Sequence, residues 1–147
     1  MSGITKIVLS TLTAYFMMAT GSAMAGSIRI DNIWVAAQPD ASKTASLFME
    51  ITNLGDQDDV LVSVDAPIAR FAKPHLTTVK GDKASMRTRK DIVIQAGSTV
   101  VLNQGGLHIM LMGLKRSLAP GKMLNMILNF QNGSSVKVNV PIKIMNL

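Results

Sequence analysis

Short runs in which apolar and polar residues alternate recur from residue 27 to residue 144, and no segment sustains the spacing of a long amphipathic helix. The clearest run is Leu107-His108-Ile109-Met110-Leu111-Met112, entered through Gly105-Gly106. Successive side chains of a strand point to opposite faces. Leu107, Ile109 and Leu111 therefore form a face suited to a core, and His108, Met110 and Met112 form the other. Thr44–Thr52 alternates as well, with Ala45, Leu47, Met49 and Ile51 on one side and Ser46 and Glu50 among the residues on the other. Further strands are expected at Ser27–Val35, Val60–Val64, Ala72–Val79, Asp91–Ile94 and Thr99–Leu102. Met123–Phe130 and Val136–Ile144 read as a hairpin across Asn132-Gly133. Gln38–Ser42, Asn53–Asp56, Ala96-Gly97 and Pro120-Gly121 read as loops and turns. Many short strands at regular spacing imply an antiparallel all-β sandwich or barrel.

The first 25 residues have a different character. Lys6 is followed by an apolar run from Ile7 to Met18 and by Ala23-Met24-Ala25, a small-x-small cleavage signal. This is the form of a secretory signal peptide. A retained anchor is the rival, but Thr11, Thr13 and a run short of the ~20 residues of a membrane span argue against it. The mature chain then runs from Gly26 to Leu147 as one domain, about 120 residues and long enough to bury a core.

The sequence has no cysteine. Disulfides, lipidation through an N-terminal cysteine, thiolate metal centres of the blue-copper type and thiol redox chemistry are thereby excluded for these residues. The formal charge is +6 and stays positive without Lys6. That balance suits an acidic partner or anionic headgroups. Nucleic acid is not an expected partner, because aromatic residues are scarce and the charges are scattered.

Chemistry concentrates on four residues. The two histidines, His75 and His108, together with Met86 and Met110, make a set of two nitrogens and two thioether sulfurs. Singly, each has an ordinary explanation: methionine fills β cores, and a histidine is commonly a satisfied polar side chain. Together they suit Cu(I), a soft ion that accepts imidazole and thioether. Zinc, calcium and magnesium are poorly served by methionine, and only Asp82 and Asp91 lie near these positions in sequence. His108 and Met110 share a strand face. His75 is expected on a neighbouring strand, and Met86 on the loop that begins at Gly81-Asp82. Met112 is expected at an apolar rim rather than on the ion. Lys80, Lys83, Arg87, Arg89 and Lys90 flank Met86 and could guide docking of a partner, or form an ordinary solvated loop.

Ten residues separate His75 from Met86, twenty-one separate Met86 from His108, and one separates His108 from Met110. This resembles the His-x10-Met-x21-His-x-Met motif of the periplasmic copper chaperones called PCu(A)C, formerly a domain of unknown function. Trp34 in an early strand, the turn Thr52–Asp56 and the segment Gly105–Leu111 extend the resemblance over nearly all of the mature chain. Gln104 departs from it, since the family often has proline there, and no His/Met-rich tail precedes Leu147. The resemblance implies a cupredoxin-like Greek-key β-barrel or sandwich and no enzyme activity. It implies one Cu(I) per chain, held by His75, Met86, His108 and Met110. It further implies a periplasmic role in delivering copper for the CuA centre of cytochrome c oxidase, to the CuA-bearing subunit or a Sco-type thioredoxin-like protein. A monomer that does not span the membrane after cleavage is expected. Copper buffering or tolerance is the alternative role. Electron transfer is disfavoured, since four neutral soft donors hold Cu(II) poorly.

Overall fold

The computed structural model describes residues 22–38 and 42–145. The apolar run Ile7–Met18, read from the sequence as part of a signal peptide, lies outside the described residues. Ala23–Ala25, read as its cleavage signal, form strand β1. The other strands are β2 (Ile28–Ala37), β3 (Thr44–Asn53), β4 (Asp59–Asp65), β5 (Phe71–Lys80), β6 (Lys83–Thr88), β7 (Ile92–Ile94), β8 (Thr99–Leu102), β9 (Leu107–Met112), β10 (Met123–Phe130) and β11 (Ser135–Ile144). The chain is all-β, as expected. No helix among the described residues is long and apolar enough to cross a membrane.

Hydrogen bonding runs in the order β6-β5-β9-β3-β2-β11-β10-β4-β7, with β1 added to β2 and β8 to β3. Every pairing is antiparallel except a short parallel contact of β11 Ile142–Ile144 with β2 Val35–Ala37. Through that contact β11 joins the sheet of β6, β5, β9, β3 and β2 to the sheet of β10, β4 and β7. The inward residues of both sheets form one core. In β3 these are Ala45, Leu47, Met49 and Ile51; in β10 they are Leu124, Met126, Leu128 and Phe130; in β11 they are Val136, Val138, Val140 and Ile142. The β10–β11 hairpin closes as its sequence requires, with Gly133 in the left-handed region at φ 81°.

One irregularity decides what reaches the outer face. In β2, Ile28 and Ile30 are buried in the core, but so are Val35 and Ala37, which have the opposite parity. The phase changes at a bulge between Asp31 and Trp34, where Asn32 takes φ 50°. A bulge inserts one residue and re-aims those that follow. Trp34 consequently lies opposite Phe48 of β3 and turns away from the core.

β6 was not anticipated as a strand, and Met86 belongs to it rather than to a loop. All six of its residues are exposed, and among the described strands it pairs only with β5. With no buried face, Lys83–Thr88 has no need of apolar alternation, which is why its sequence looks like a loop. A charged, polar edge strand of this kind also resists pairing with other chains.

Candidate metal centre

Register assembles the donors on the outer face of the first sheet. His75 of β5 stands directly opposite His108 of β9, and Lys73 stands opposite Met110. On the other side of β5, Thr88 stands opposite His75 and Met86 opposite Thr77. Residues directly opposite in an antiparallel pair, and those two positions along, share a face. His75, Met86, His108 and Met110 therefore all project from the same side, with Thr77, Thr88 and Lys73 among them. Ile109 and Leu111 of the same β9 are fully buried in the core on the reverse side. The two faces of β9 divide as its alternation predicts.

The imidazoles are stacked, with ring centroids 6.1 Å apart and planes inclined by 23°. His108 Nδ1 lies 3.0 Å from the Gly106 carbonyl oxygen. His75 Nδ1 lies 3.1 Å from the Lys73 carbonyl oxygen. A carbonyl only accepts, so in each neutral ring Nδ1 carries the hydrogen and donates it, leaving the lone pair on Nε2. This is how histidine ligands are commonly oriented: one nitrogen anchored to a backbone oxygen, the other presented to an ion. No buried side-chain nitrogen or oxygen among the described residues lacks a partner. The Nε2 of His108 makes no hydrogen bond to a described residue. The Nε2 of His75 does have a partner, the Thr88 hydroxyl at 3.1 Å.

Behind His108 lies an aromatic row. Phe48 is 6.2 Å from His108 between centroids, and Trp34 is 5.0 Å from Phe48. Lys143 Nζ lies 5.9 Å from the Trp34 ring. Phe48, on the face away from the core, is only 3% exposed, and His108 is 4% exposed. The row walls in one side of the imidazole. The sequence offers a signal for it in hindsight: Phe48 has the parity of Ser46 and Glu50 and would otherwise be a large apolar residue set in solvent.

The thioethers differ. Met110 is partly buried next to His108, whereas Met86 is 50% exposed. Met86 and Met110 lie on opposite diagonals of the histidine pair, two strands and four residues apart in register. On a flat sheet that spacing is roughly 16 Å, from ~4.8 Å between strands and ~3.3 Å per residue. Two-stranded ribbons twist most strongly, and coiling of the β5–β6 ribbon toward the histidines is what a four-donor site requires. Met112 lies opposite Phe71 and Thr44 at the far end of β9, beyond Met110 from the histidines.

The basic residues divide between faces. Arg87 is opposite Leu76, and so projects to the reverse side of the ribbon from Met86. Arg89 and Lys90 line a cleft of about 410 Å³ with Val62, Ser63 and Pro74. Lys73, not singled out from the sequence, shares the donor face.

A family model described as "Putative lipoprotein LpqE-like" matches residues 28–142. A protein from Leifsonia xyli subsp. xyli, "Putative lipoprotein Lxx21020", is 34% identical over 125 residues, 84% of this chain and 74% of that one. The fold is similar to the copper-bound PCuAC domain from PmoF2, with TM-score 0.74 and 22% identity over 84% of this chain and 98% of that one. It is also similar to the solution structure of CuI-DR1885 from Deinococcus radiodurans, with TM-score 0.64 and 34% identity over 76% of this chain and 74% of that one. On the family match, the curated relative and the shared sandwich, the chain belongs to the LpqE-like family and has the fold of PCuAC domains.

Proposed function

We propose that the chain is an exported metallochaperone that carries one Cu(I), bound by His75, His108, Met110 and Met86, and is not an enzyme. The observation that carries this reading is the opposed histidine pair. Both rings are anchored through Nδ1 to backbone carbonyls, and Met110 is beside them on the same face. Two neutral imidazoles with thioether sulfur suit a soft monocation and serve hard cations poorly. Lys73 on the same face adds positive charge, which disfavours Cu(II) more than Cu(I) because Coulomb energy scales with the ion's charge. The copper named for the Deinococcus radiodurans relative supports the same reading.

The carrier works in the periplasm, after cleavage behind Ala25, and hands copper on toward the CuA centre of cytochrome c oxidase. The acceptor is the CuA-bearing subunit or a Sco-type thioredoxin-like protein. The family's lipoprotein description does not extend to a lipid on these residues, which include no cysteine. Exposed apolar side chains on the donor face support the hand-over, since Phe71, Val79 and Met86 all project from that side. The test loads the protein with Cu(I) and mixes it with a metal-free CuA domain, with and without the thioredoxin-like protein. Appearance of copper in the CuA domain supports delivery. Tight binding of one Cu(I) with transfer to neither protein would favour buffering instead.

A further inference from the structure

We propose that Thr88 competes with copper for His75, and so sets how readily the ion leaves. The inference rests on the copper reading above. Because the Lys73 carbonyl accepts from Nδ1 at 3.1 Å, the lone pair of a neutral His75 is on Nε2. The Thr88 hydroxyl lies 3.1 Å from that nitrogen, with Thr88 directly opposite His75 in register. A nitrogen lone pair cannot donate, so the hydroxyl hydrogen points into it. Copper needs the same lone pair. Binding therefore exchanges a hydroxyl hydrogen bond for a metal bond, and release restores it.

The two histidines are thus unequal. Among the described residues His108 has no partner on Nε2, and its ring lies between Phe48 and the stacked His75 ring. His75 is capped. The Nε2 of His108 is unbonded among the described residues, whereas His75 can join an ion only as Thr88 lets go of its Nε2. In the reverse direction the hydroxyl stands ready to take His75 back. Thr88 shares strand and face with Met86, so β6 supplies both the more exposed of the two proposed sulfur donors and the competing hydroxyl. Thr88 is a positioning residue: in the metal-free protein it holds the imidazole in place, and with copper bound it lowers affinity. A carrier benefits from that balance, since an ion held by all donors without competition is slow to hand over.

Thr88→Val removes the hydroxyl, keeps the branched shape that strands favour, and leaves an exposed position unburdened. Thr88→Ser restores the hydroxyl. Two measurements apply to the parent and both variants. The first is the nitrogen-15 NMR spectrum of the metal-free imidazoles. The second is Cu(I) affinity and dissociation by competition with a chelator. Thr88→Val should shift the Nε2 resonance of His75 but not that of His108. It should raise Cu(I) affinity and slow release by roughly 2- to 10-fold, the worth of one net hydrogen bond. Thr88→Ser should return both readouts to parental values. If the parent binds one Cu(I) and Thr88→Val binds it equally or more weakly, the competition idea is overturned while the copper site stands. An unmoved His75 resonance overturns it from the metal-free side, whatever copper does. If the parent binds no Cu(I), both readings fall, and the first row of the titration shows it.

Discussion

His75 and His108 face each other across the β5–β9 pair with their rings stacked 6.1 Å apart, each anchored through Nδ1 to a backbone carbonyl on its own strand. Residues far apart in the chain are thus placed as a facing pair by register alone. The pair rests on a sheet whose reverse side is fully buried core at Ile109 and Leu111. Its position is therefore as stiff as the sandwich itself, and metal is not needed to create it.

Ligand removal should follow that stiffness. His108→Ala takes a nitrogen from the rigid strand that also carries Met110, and Cu(I) affinity should fall by more than about 100-fold, beyond the range seen for loss of mere supporting contacts. Met86→Leu should cost less and mainly hasten release, because Met86 is exposed and joins only as the ribbon coils. Met112→Leu should change little. Competition with a Cu(I) chelator gives the order, and X-ray absorption gives the nitrogen-to-sulfur count. Parental affinity in both His108→Ala and Met86→Leu would show that copper binds elsewhere. Acid should release the ion in every binding variant, since protons compete for the imidazole lone pairs and not for the thioethers.

Phe48→Ala should be costly for two reasons. It removes a side chain only 3% exposed, a loss of about 3 kcal/mol or more by comparison with buried aromatic truncations. It also removes the wall behind His108. Denaturant unfolding reads the first effect. Cu(I) affinity of the folded fraction reads the second, and should fall. Phe48→Leu should recover most of the stability and less of the affinity.

The metal-free protein should unfold in a single cooperative transition, because the core of β3, β9, β10 and β11 draws on no ligand side chain. Copper should raise the midpoint by mass action, adding about 2.7 kcal/mol of stability at a free concentration one hundred times the dissociation constant. A metal-free chain without a cooperative transition would contradict this and group the protein with small zinc domains, whose folding is metal binding.

Docking charge should reside more in Lys73 than in Arg87. Lys73 shares the donor face, and Arg87 projects from its reverse. Lys73→Gln should slow transfer to an acidic acceptor at low salt, and Arg87→Gln should slow it less. The difference should shrink as salt rises, since exposed charges are screened beyond about 8 Å at physiological ionic strength. Stopped-flow transfer at several salt concentrations measures it; identical slopes for the two variants would refute the assignment.

Asp31 connects the leader question to pH. The Ser22 hydroxyl beside its carboxylate is the largest influence on it; burial opposes, and Arg29, 2.8 Å away, adds to the lowering, so that its pKa falls below the ordinary value. A carboxylate with a depressed folded pKa contributes stability above its unfolded pKa, and that contribution is lost as pH falls through the folded one. The proposed cleavage after Ala25 would remove Ser22. NMR titration should therefore find the Asp31 carboxyl titrating higher in protein beginning at Gly26 than in protein beginning at Ser22. Equal values would mean that Ser22 does not act on Asp31 in solution.

The sequence alone determined which donor side chains the chain offers and the local phase. Two histidines, two methionines at the spacing of the motif and no cysteine point to the soft-metal reading before any fold is known. The alternation of Leu107–Met112 assigns His108 and Met110 to the face away from the core, because a strand's period of two is a local property. Tertiary structure decided which strand meets which. That His75 lies opposite His108, that Thr88 caps it, and that Met86 lies on the far diagonal all follow from registers between distant strands, fixed by packing of the reverse face. Lys83–Thr88 gave no local sign of a strand because an edge with no buried face needs no apolar pattern. Trp34 reached the row behind His108 only because the bulge at Asn32 reverses the phase of β2, and a bulge changes the facing of every residue after it without altering the residues themselves.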